Sequence, residues 1–263
     1  MHTENPHDEP LRLLSREIAR ASRITVLTGA GVSAASGVPT FRGAGGLWRQ
    51  FRAEDLATPD AFRRNPQLVW EWYESRRAIV AACTPNAAHD VLARWSRERG
   101  STVITQNVDD LHVRAGTRGL IRLHGSLWEL KCSGHGLPAR EVGPPCSGVW
   151  RDERVPLPLP PRCPACGALA RPGVVWFGEA LDDAVLGAAV TATSCDLFIT
   201  IGTSAVVYPA AGLLHDARRA GAVTAEINLE PTPASGLVDI AVAGGAEAIL
   251  PQLNLPAGDR RLY

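Results

Sequence analysis

The sequence predicts an α/β fold: a doubly wound parallel sheet, with a helical module and a smaller inserted module that carries most of the cysteines. Three observations predict it. Short β-branched runs alternate with helix-spaced segments, a glycine-rich turn follows the first strand, and a proline-dense stretch holding four of the six cysteines interrupts the alternation. At 263 residues and 45% hydrophobic, the chain has enough apolar material for a buried core. Its 27 basic and 27 acidic side chains balance. That balance removes the broad field used by nucleic-acid or anionic-membrane binders, so neither partner is expected and any anion recognition has to be local. Lys131 is the only lysine, a bias that fits arginine-rich codon usage.

Leu11 to Ala21 has helical spacing, and Arg23 to Thr28 is a short strand that runs straight into Gly29-Ala30-Gly31-Val32-Ser33-Ala34. Helical regions follow from about Pro59 to Ala82 and from about Pro85 to Arg99. Ser101 to Gln106 reads as the second strand and Gly119 to Gly125 as the third. From about Lys131 to Arg171 periodicity disappears and prolines are dense, so something other than a core has to hold this segment. Regular structure returns with a strand at Val174 to Gly178, a helix from about Asp182, and a strand at Asp196 to Gly202. A helix from about Pro209 to Ala220, strands at Ala222 to Asn228 and Asp239 to Val242, and a C-terminal helix complete the chain. The expected boundaries are a sheet core over about 11–45, 84–128 and 172–255, a helical module over about 46–83 and the inserted module over about 129–171. Two uncharged runs, Ile24 to Phe41 and Leu197 to Leu214, are long enough to span a membrane, but their glycines, prolines and hydroxyl residues argue for strand, turn and helix start. The first residues are acidic and polar where a signal peptide would be basic and then apolar, and six cysteines are too few for a disulfide scaffold. A reducing cytoplasm and a monomer are expected.

The turn after the first strand fits the dinucleotide fingerprint in its GxGxxA form, which makes the sheet Rossmann-like. Its backbone amides can cradle a pyrophosphate, and the same glycines also serve a plain tight turn. A dehydrogenase would next show a strand ending in an acidic residue about 20 positions on. Here that place holds PTFRGAGGLWRQF, which disfavours hydride transfer. Cys163-Pro164-Ala165-Cys166-Gly167 is half of a zinc knuckle and Cys132 supplies a third thiolate. The fourth ligand is either His135, at the mirror spacing Cys132-Ser133-Gly134-His135, or Cys146, which closes a longer loop; spacing favours His135. Four protein ligands leave no place for a catalytic water, so such a zinc is structural. Cys83 and Cys195 stand alone in apolar surroundings and read as core. Gln106, Asn107 and Asp109 offer amide and carboxylate groups suited to a ribose or a carboxamide. His124, ending the next strand, is a general base or a plain hydrogen-bonded residue.

Six segments, taken in order, resemble the successive motifs of the sirtuins: GAGVSAASGVPTFRGAGGLW, TQNVDDLH, LHGSLWELKC, RPGVVWFGE, GTSAVVYPAA and INLEP. The resemblance runs from about residue 15 to 253. It implies NAD-dependent removal of acyl groups from protein lysine side chains, with NAD consumed as a co-substrate. In that chemistry the acyl oxygen attacks the ribose carbon bearing nicotinamide, nicotinamide leaves, and an alkylimidate forms. The resemblance gives His124 and Asn107 the catalytic positions. His124 would deprotonate a ribose hydroxyl that attacks the imidate, ending in free lysine and O-acyl-ADP-ribose. It also implies that Gly29, Ala30, Gly31 and Ser33 hold the pyrophosphate region and that Phe41, Arg42 and Trp48 belong to the loop over the nicotinamide end. Gln106, Asn107 and Asp109 match the ribose and nicotinamide pocket. Gly202, Thr203, Ser204, Asn228, Leu229, Glu230 and Ala246 match the phosphate and adenosine side. Val174 to Glu179, with Val175 and Phe177 as contacts, is similar to the segment on which the family lays its substrate peptide as an added strand.

Tyr73 and Arg76 lie three apart and so share a helix face. The pair is similar to that of sirtuins acting on acidic acyl groups, where phenol and guanidinium bind the distal carboxylate; this implies desuccinylation and demalonylation, with weaker deacetylation. Two positions depart from the family pattern: His135 stands where many members have a fourth cysteine, and Gly173 where relatives carry a larger polar residue. The alternatives are mono-ADP-ribosyl transfer from the same NAD, and a non-catalytic NAD-sensing module that binds acylated tails.

Overall fold

The computed structural model describes residues 8–40, 47, 48, 51–134, 146 and 148–253. It begins with α1 (Asp8–Arg20), β1 (Ile24–Thr28) and the one-turn α2 (Gly31–Ala34). A two-residue pair follows, β2 (Leu47–Trp48) and β3 (Phe51–Arg52), then α3 (Ala53–Leu56), α4 (Pro59–Arg64), α5 (Pro66–Ala82) and α6 (Ala87–Glu98). Next come β4 (Thr102–Thr105), α7 (Leu111–Arg114), β5 (Leu120–Arg122), β6 (Gly125–Cys132), β7 (Val149–Arg151) and β8 (Ala170–Val174). The chain continues with α8 (Asp183–Ala192), β9 (Leu197–Ile201), α9 (Gly212–Arg219), β10 (Val223–Asn228), β11 (Ile240–Ala243) and α10 (Ala246–Ile249). No described helix is long and apolar enough to cross a membrane.

The main sheet is six-stranded and parallel in the order β11-β10-β9-β1-β4-β5. Its central strands β1 and β9 are buried at every residue, as strands covered on both faces must be. One face is covered by α1, α6 and α10, which bring Leu14, Ile18, Leu92 and Trp95 onto Val26, Ile199 and Ile227. The other face is covered by α8 and α9, with Ala189, Leu213 and Leu214 against Leu27, Ile104 and Phe198. Each large apolar side chain so buried contributes about 1.5–3 kcal/mol. The strand order reverses between β1 and β9, and a ligand crevice opens at such a switch point, beyond the carboxyl ends of the strands.

A third core lies beside the sheet. Phe62, Trp70, Tyr73 and Val80 of α4 and α5 pack with Leu127 and Leu130 of β6, with Val174 of β8 and with Trp176. The antiparallel sheet β7-β6-β8 and the helices thus share one apolar interior. Arg77 stitches them together. Fully buried, its guanidinium donates to Glu74 at 3.1 Å and to the carbonyls of Leu127, Asp152 and Arg154. On β6, Lys131 pairs with Val149 of β7 and Arg171 of β8.

Several elements differ from expectation: the third strand ends at Arg122, short of His124, and β6 and β7 were not anticipated. The helix expected from Pro59 to Ala82 breaks at Asn65, whose φ of −151° ends α4 and whose Oδ1 caps α5 by accepting from Leu68 N at 3.0 Å. The strand expected at Val174 to Gly178 lies earlier, at Ala170–Val174. Beyond Val174 the chain leaves the ladder: Val175 N donates to the His124 carbonyl at 3.0 Å and Phe177 N to that of Ala57 at 2.9 Å. Gly173 is explained by its neighbour. A Cβ there would sit 2.7 Å from the Glu129 carbonyl oxygen on β6, so the close strand approach next to the β6–β8 bulge requires glycine.

Candidate active site

The glycine turn sits at the switch point. Gly29 N donates to the Ile201 carbonyl at 3.0 Å and Gly31 N to that of Gly202 at 2.8 Å. A Cβ on Gly29 would lie 2.7 Å from Gly202 O, and one on Gly31 2.7 Å from Gly202 Cα. Gly202 itself has φ +58°, and a Cβ there would meet Val32 N at 2.5 Å. The glycines therefore form a seam that lets the turns after β1 and β9 touch, and the amides of Gly29 and Gly31 serve that seam. Phe41 and Arg42 lie outside the described residues, and Trp48 is placed only as the β2 partner of Phe51.

From the seam the polar groups build outward. Asn107 Nδ2 donates to the Gly29 carbonyl at 3.0 Å and to Ser33 Oγ at 3.2 Å. Ser33 Oγ in turn donates to Asp109 Oδ2 at 2.8 Å, while Asp109 Oδ1 accepts from Leu111 N at 2.9 Å. Burial pushes the Asp109 carboxyl above its ordinary range, against the two hydrogen bonds that favour its charge. His89 joins from α6, its Nε2 3.4 Å from Ser33 Oγ. Its Nδ1 accepts from Asn86 N at 3.2 Å, which leaves the ring proton on Nε2 and makes Ser33 the acceptor. Burial keeps His89 neutral to about 4. Its neighbour His112, ring centroids 4.8 Å apart, stays neutral to about 3 through burial and the nearby imidazole. His89 is a site member the sequence did not disclose. The Asn86-to-His89 spacing gives only a helix-start signal, and its partner Ser33 is 56 residues away.

Most of the residues expected on the adenosine side gather at the ends of β9 and β10. Gln106 Nε2 donates to Thr203 Oγ1 at 2.8 Å, and Asn228 Nδ2 donates to the Thr203 carbonyl at 2.8 Å. Ser204 is half-buried in the same turn, whereas Leu229 and Glu230 are exposed just beyond β10. Ala246, at the start of α10, is buried in the sheet core.

His124 lies in the turn between β5 and β6, half-buried, its Nδ1 2.9 Å from the Gln106 carbonyl. A carbonyl only accepts, so Nδ1 carries the proton and Nε2 presents its lone pair. Burial lowers the His124 pKa below the ordinary value, partly offset by that hydrogen bond. Tyr73 and Arg76 both come from α5. Tyr73 is buried against Trp70 and Trp72, and Arg76 is half-buried with its guanidinium 5.4 Å from the Trp72 ring centroid. Desolvation lowers the Arg76 pKa, while the fields of Tyr73 and Asp109 oppose this. Val175 is half-buried and Phe177 exposed on the segment after β8.

The four sulfurs of Cys132, Cys146, Cys163 and Cys166 lie within 4.8 Å of one another, with Cys132 to Cys166 at 3.5 Å and Cys146 to Cys163 at 3.7 Å. Four thiolates at the usual zinc–sulfur distance stand about 3.8 Å apart at the corners of a tetrahedron, so the cluster fits a structural zinc. This corrects the spacing argument for His135. Cys146 fills the fourth corner, because the chain folds back through β7 to bring it beside Cys163, while His135 lies outside the described residues. Cys83 and Cys195 are buried, away from this cluster.

A sheet whose switch point is closed by touching glycines, with buried amide, carboxylate and imidazole groups around it and a thiolate-held module alongside, defines a dinucleotide-using α/β protein. Comparison with known proteins names the family: the Sir2 family model matches residues 29–209, and the chain belongs to that family. It is 45% identical over 256 residues to a protein of Canis lupus familiaris named NAD-dependent protein deacylase sirtuin-5, mitochondrial, covering 90% of this chain and 83% of that one. An NAD-dependent protein deacylase of Aquifex aeolicus is 47% identical over 220 residues, covering 82% and 87%. Among solved structures, the NAD complex of a Sir2 homologue superposes with a TM-score of 0.84 at 43% identity, covering 92% of this chain and 91% of that one.

Proposed function

We propose that this crevice carries out NAD-dependent deacylation of protein lysine side chains, preferring the acidic succinyl and malonyl groups to acetyl. The observation that carries the reading is the network of Asn107, Ser33 and Asp109 on the glycine seam, with His124 oriented by the carbonyl of Gln106, the residue next to Asn107. The names of the relatives, NAD-dependent protein deacylases at 45% and 47% identity, support it. In this reading the glycine turns and Asn228 border the dinucleotide. Asn107 has both amide hydrogens engaged by Gly29 and Ser33, so its carbonyl oxygen is the group offered to the ligand. His124 takes a proton from a ribose hydroxyl through Nε2, and the Gln106 carbonyl holds its other nitrogen protonated. The lysine-bearing peptide contacts Val175 and Phe177, which have left the β6–β8 ladder, and Tyr73 with Arg76 receives the distal carboxylate. We also read the chain as a cytoplasmic monomer.

Incubation with NAD and succinyl-, malonyl- or acetyl-lysine peptides tests this directly. Nicotinamide release that requires an acylated peptide and matches its loss of acyl mass is expected; a mass gain on a protein acceptor points to ADP-ribosyl transfer instead, and no release overturns the reading. Arg76→Met is expected to lower succinyl kcat/KM by about 100-fold, the worth of a bidentate charged contact, and to spare acetyl turnover. Unchanged succinyl kinetics would remove the acidic-acyl preference. Light scattering on the same preparation is expected to return one chain of 28.0 kDa.

A further inference from the structure

We infer that the Trp176 indole fixes the donor–acceptor sense of Tyr73, making Trp176 a positioning residue for acidic acyl specificity; this rests on the acyl reading above. Trp176 lies between Val175 and Phe177 but faces the opposite way, 3% exposed where Phe177 is 48% exposed. Its indole Nε1–H donates to Tyr73 Oη at 2.9 Å. An indole nitrogen only donates, so this bond cannot reverse. The phenol oxygen is therefore an acceptor toward Trp176 and must direct its single proton elsewhere. Among the described residues no hydrogen bond takes that proton. Burial pushes the Tyr73 pKa well up, so the proton stays on. What α5 presents is then a hydroxyl donor one helical turn from a guanidinium. That combination suits a carboxylate, whereas the methyl group of an acetyl gains nothing from it.

The indole is itself held in place. The Arg171 guanidinium lies 3.5 Å from its ring centroid, and Phe62 packs against it at 5.4 Å between centroids. Glu179 grips Arg171 through both oxygens, at 2.5 and 2.8 Å, and accepts the Trp176 backbone N–H at 2.9 Å. Tyr73 is fixed by the edges of Trp70 and Trp72, with centroids at 6.5 and 4.5 Å. Glu179, Arg171, Trp176 and Tyr73 thus form one chain of contacts that ends at the acyl pocket.

The experiment is Trp176→Phe, which keeps an aromatic ring and deletes the N–H, compared with wild type and Arg76→Met on succinyl and acetyl peptides. The inference expects succinyl KM to rise about tenfold, with acetyl kcat and KM within about twofold. It also expects non-additivity: added to Tyr73→Phe, the Trp176 change has no further effect on succinyl kcat/KM. If Trp176→Phe does not fold, Trp176→Tyr replaces it. An equal fall for both acyl groups, or an unchanged succinyl-to-acetyl ratio, overturns the inference, and loss of succinyl turnover in Arg76→Met leaves the acyl reading standing. Arg76→Met with wild-type succinyl kinetics removes the reading and the inference together.

Discussion

The Gln106 carbonyl, 2.9 Å from His124 Nδ1, keeps the imidazole proton on that side and leaves Nε2, the nitrogen proposed to act as the base, unprotonated, and burial makes the doubly protonated form costly. The sign of the pH effect follows. The base must be neutral to act, protonation removes it, and a lowered pKa postpones protonation to more acidic pH. The acid limb of kcat/KM for an acetyl peptide is therefore expected to have its midpoint below about 6.5, the ordinary histidine value. A midpoint above that value would contradict His124 as a buried base. His124 was legible as a candidate because it follows β5 closely at the crevice, but its tautomer was not. The carbonyl that sets it belongs to a residue 18 positions away. The Ser33–His89 and Tyr73–Trp176 contacts, 56 and 103 residues apart, were hidden for the same reason. Only packing brings such groups together, and no local spacing encodes it.

Helix and strand limits were readable wherever their signals are local. The Thr58-Pro59 and Asn65-Pro66 pairs each carry a capping side chain before a proline in the first turn, and α4 and α5 start there. The 3.6-residue pattern continues across Asn65, but the second cap is the stronger local signal and divides the helix there. The inserted module shows the converse. Cys163 and Cys166 declare themselves on one tight turn, whereas Cys146 becomes a ligand only because β7 pairs with β6 and returns the chain to the cluster. Cys146→Ala is expected to lower zinc, measured by atomic emission, from one equivalent per chain to a small fraction of that, because three thiolates hold the ion far more weakly. His135→Ala is expected to retain the full equivalent. The reverse pattern would restore the histidine as the fourth ligand.

The parallel sheet was legible as a whole because alternating strands and helices leave few topologies, and right-handed crossovers fix most of the rest. The third core was not. It joins α4 and α5 to β6 and β8 across a gap in sequence, so the proline-rich segment expected to need a metal also places Leu157 and Ala170 in an interior shared with Leu127 and Leu130 of β6. Because the crevice is bounded by turns from strands throughout the main sheet, a ligand there bridges distant parts of the chain and stabilises the native state by mass action. NAD at about 100 times its dissociation constant adds roughly 2.7 kcal/mol, which for a chain of this size is expected to raise the melting midpoint by roughly 5–10 °C. A calorimetric scan showing no shift at that excess would count against NAD as the occupant. Lys131 stands on β6 between Val149 of β7 and Arg171 of β8. Succinylation turns a lysine from cationic to anionic, so surroundings rich in activated acyl donors push lysine-rich surfaces toward negative charge. This chain, with arginine at every other basic position, offers them a single ε-amine, and that one is half-buried in a ladder beside the zinc thiolates. Its charge balance is thereby insulated from the modification it is proposed to erase, and it presents almost no lysine of its own to compete with its substrates.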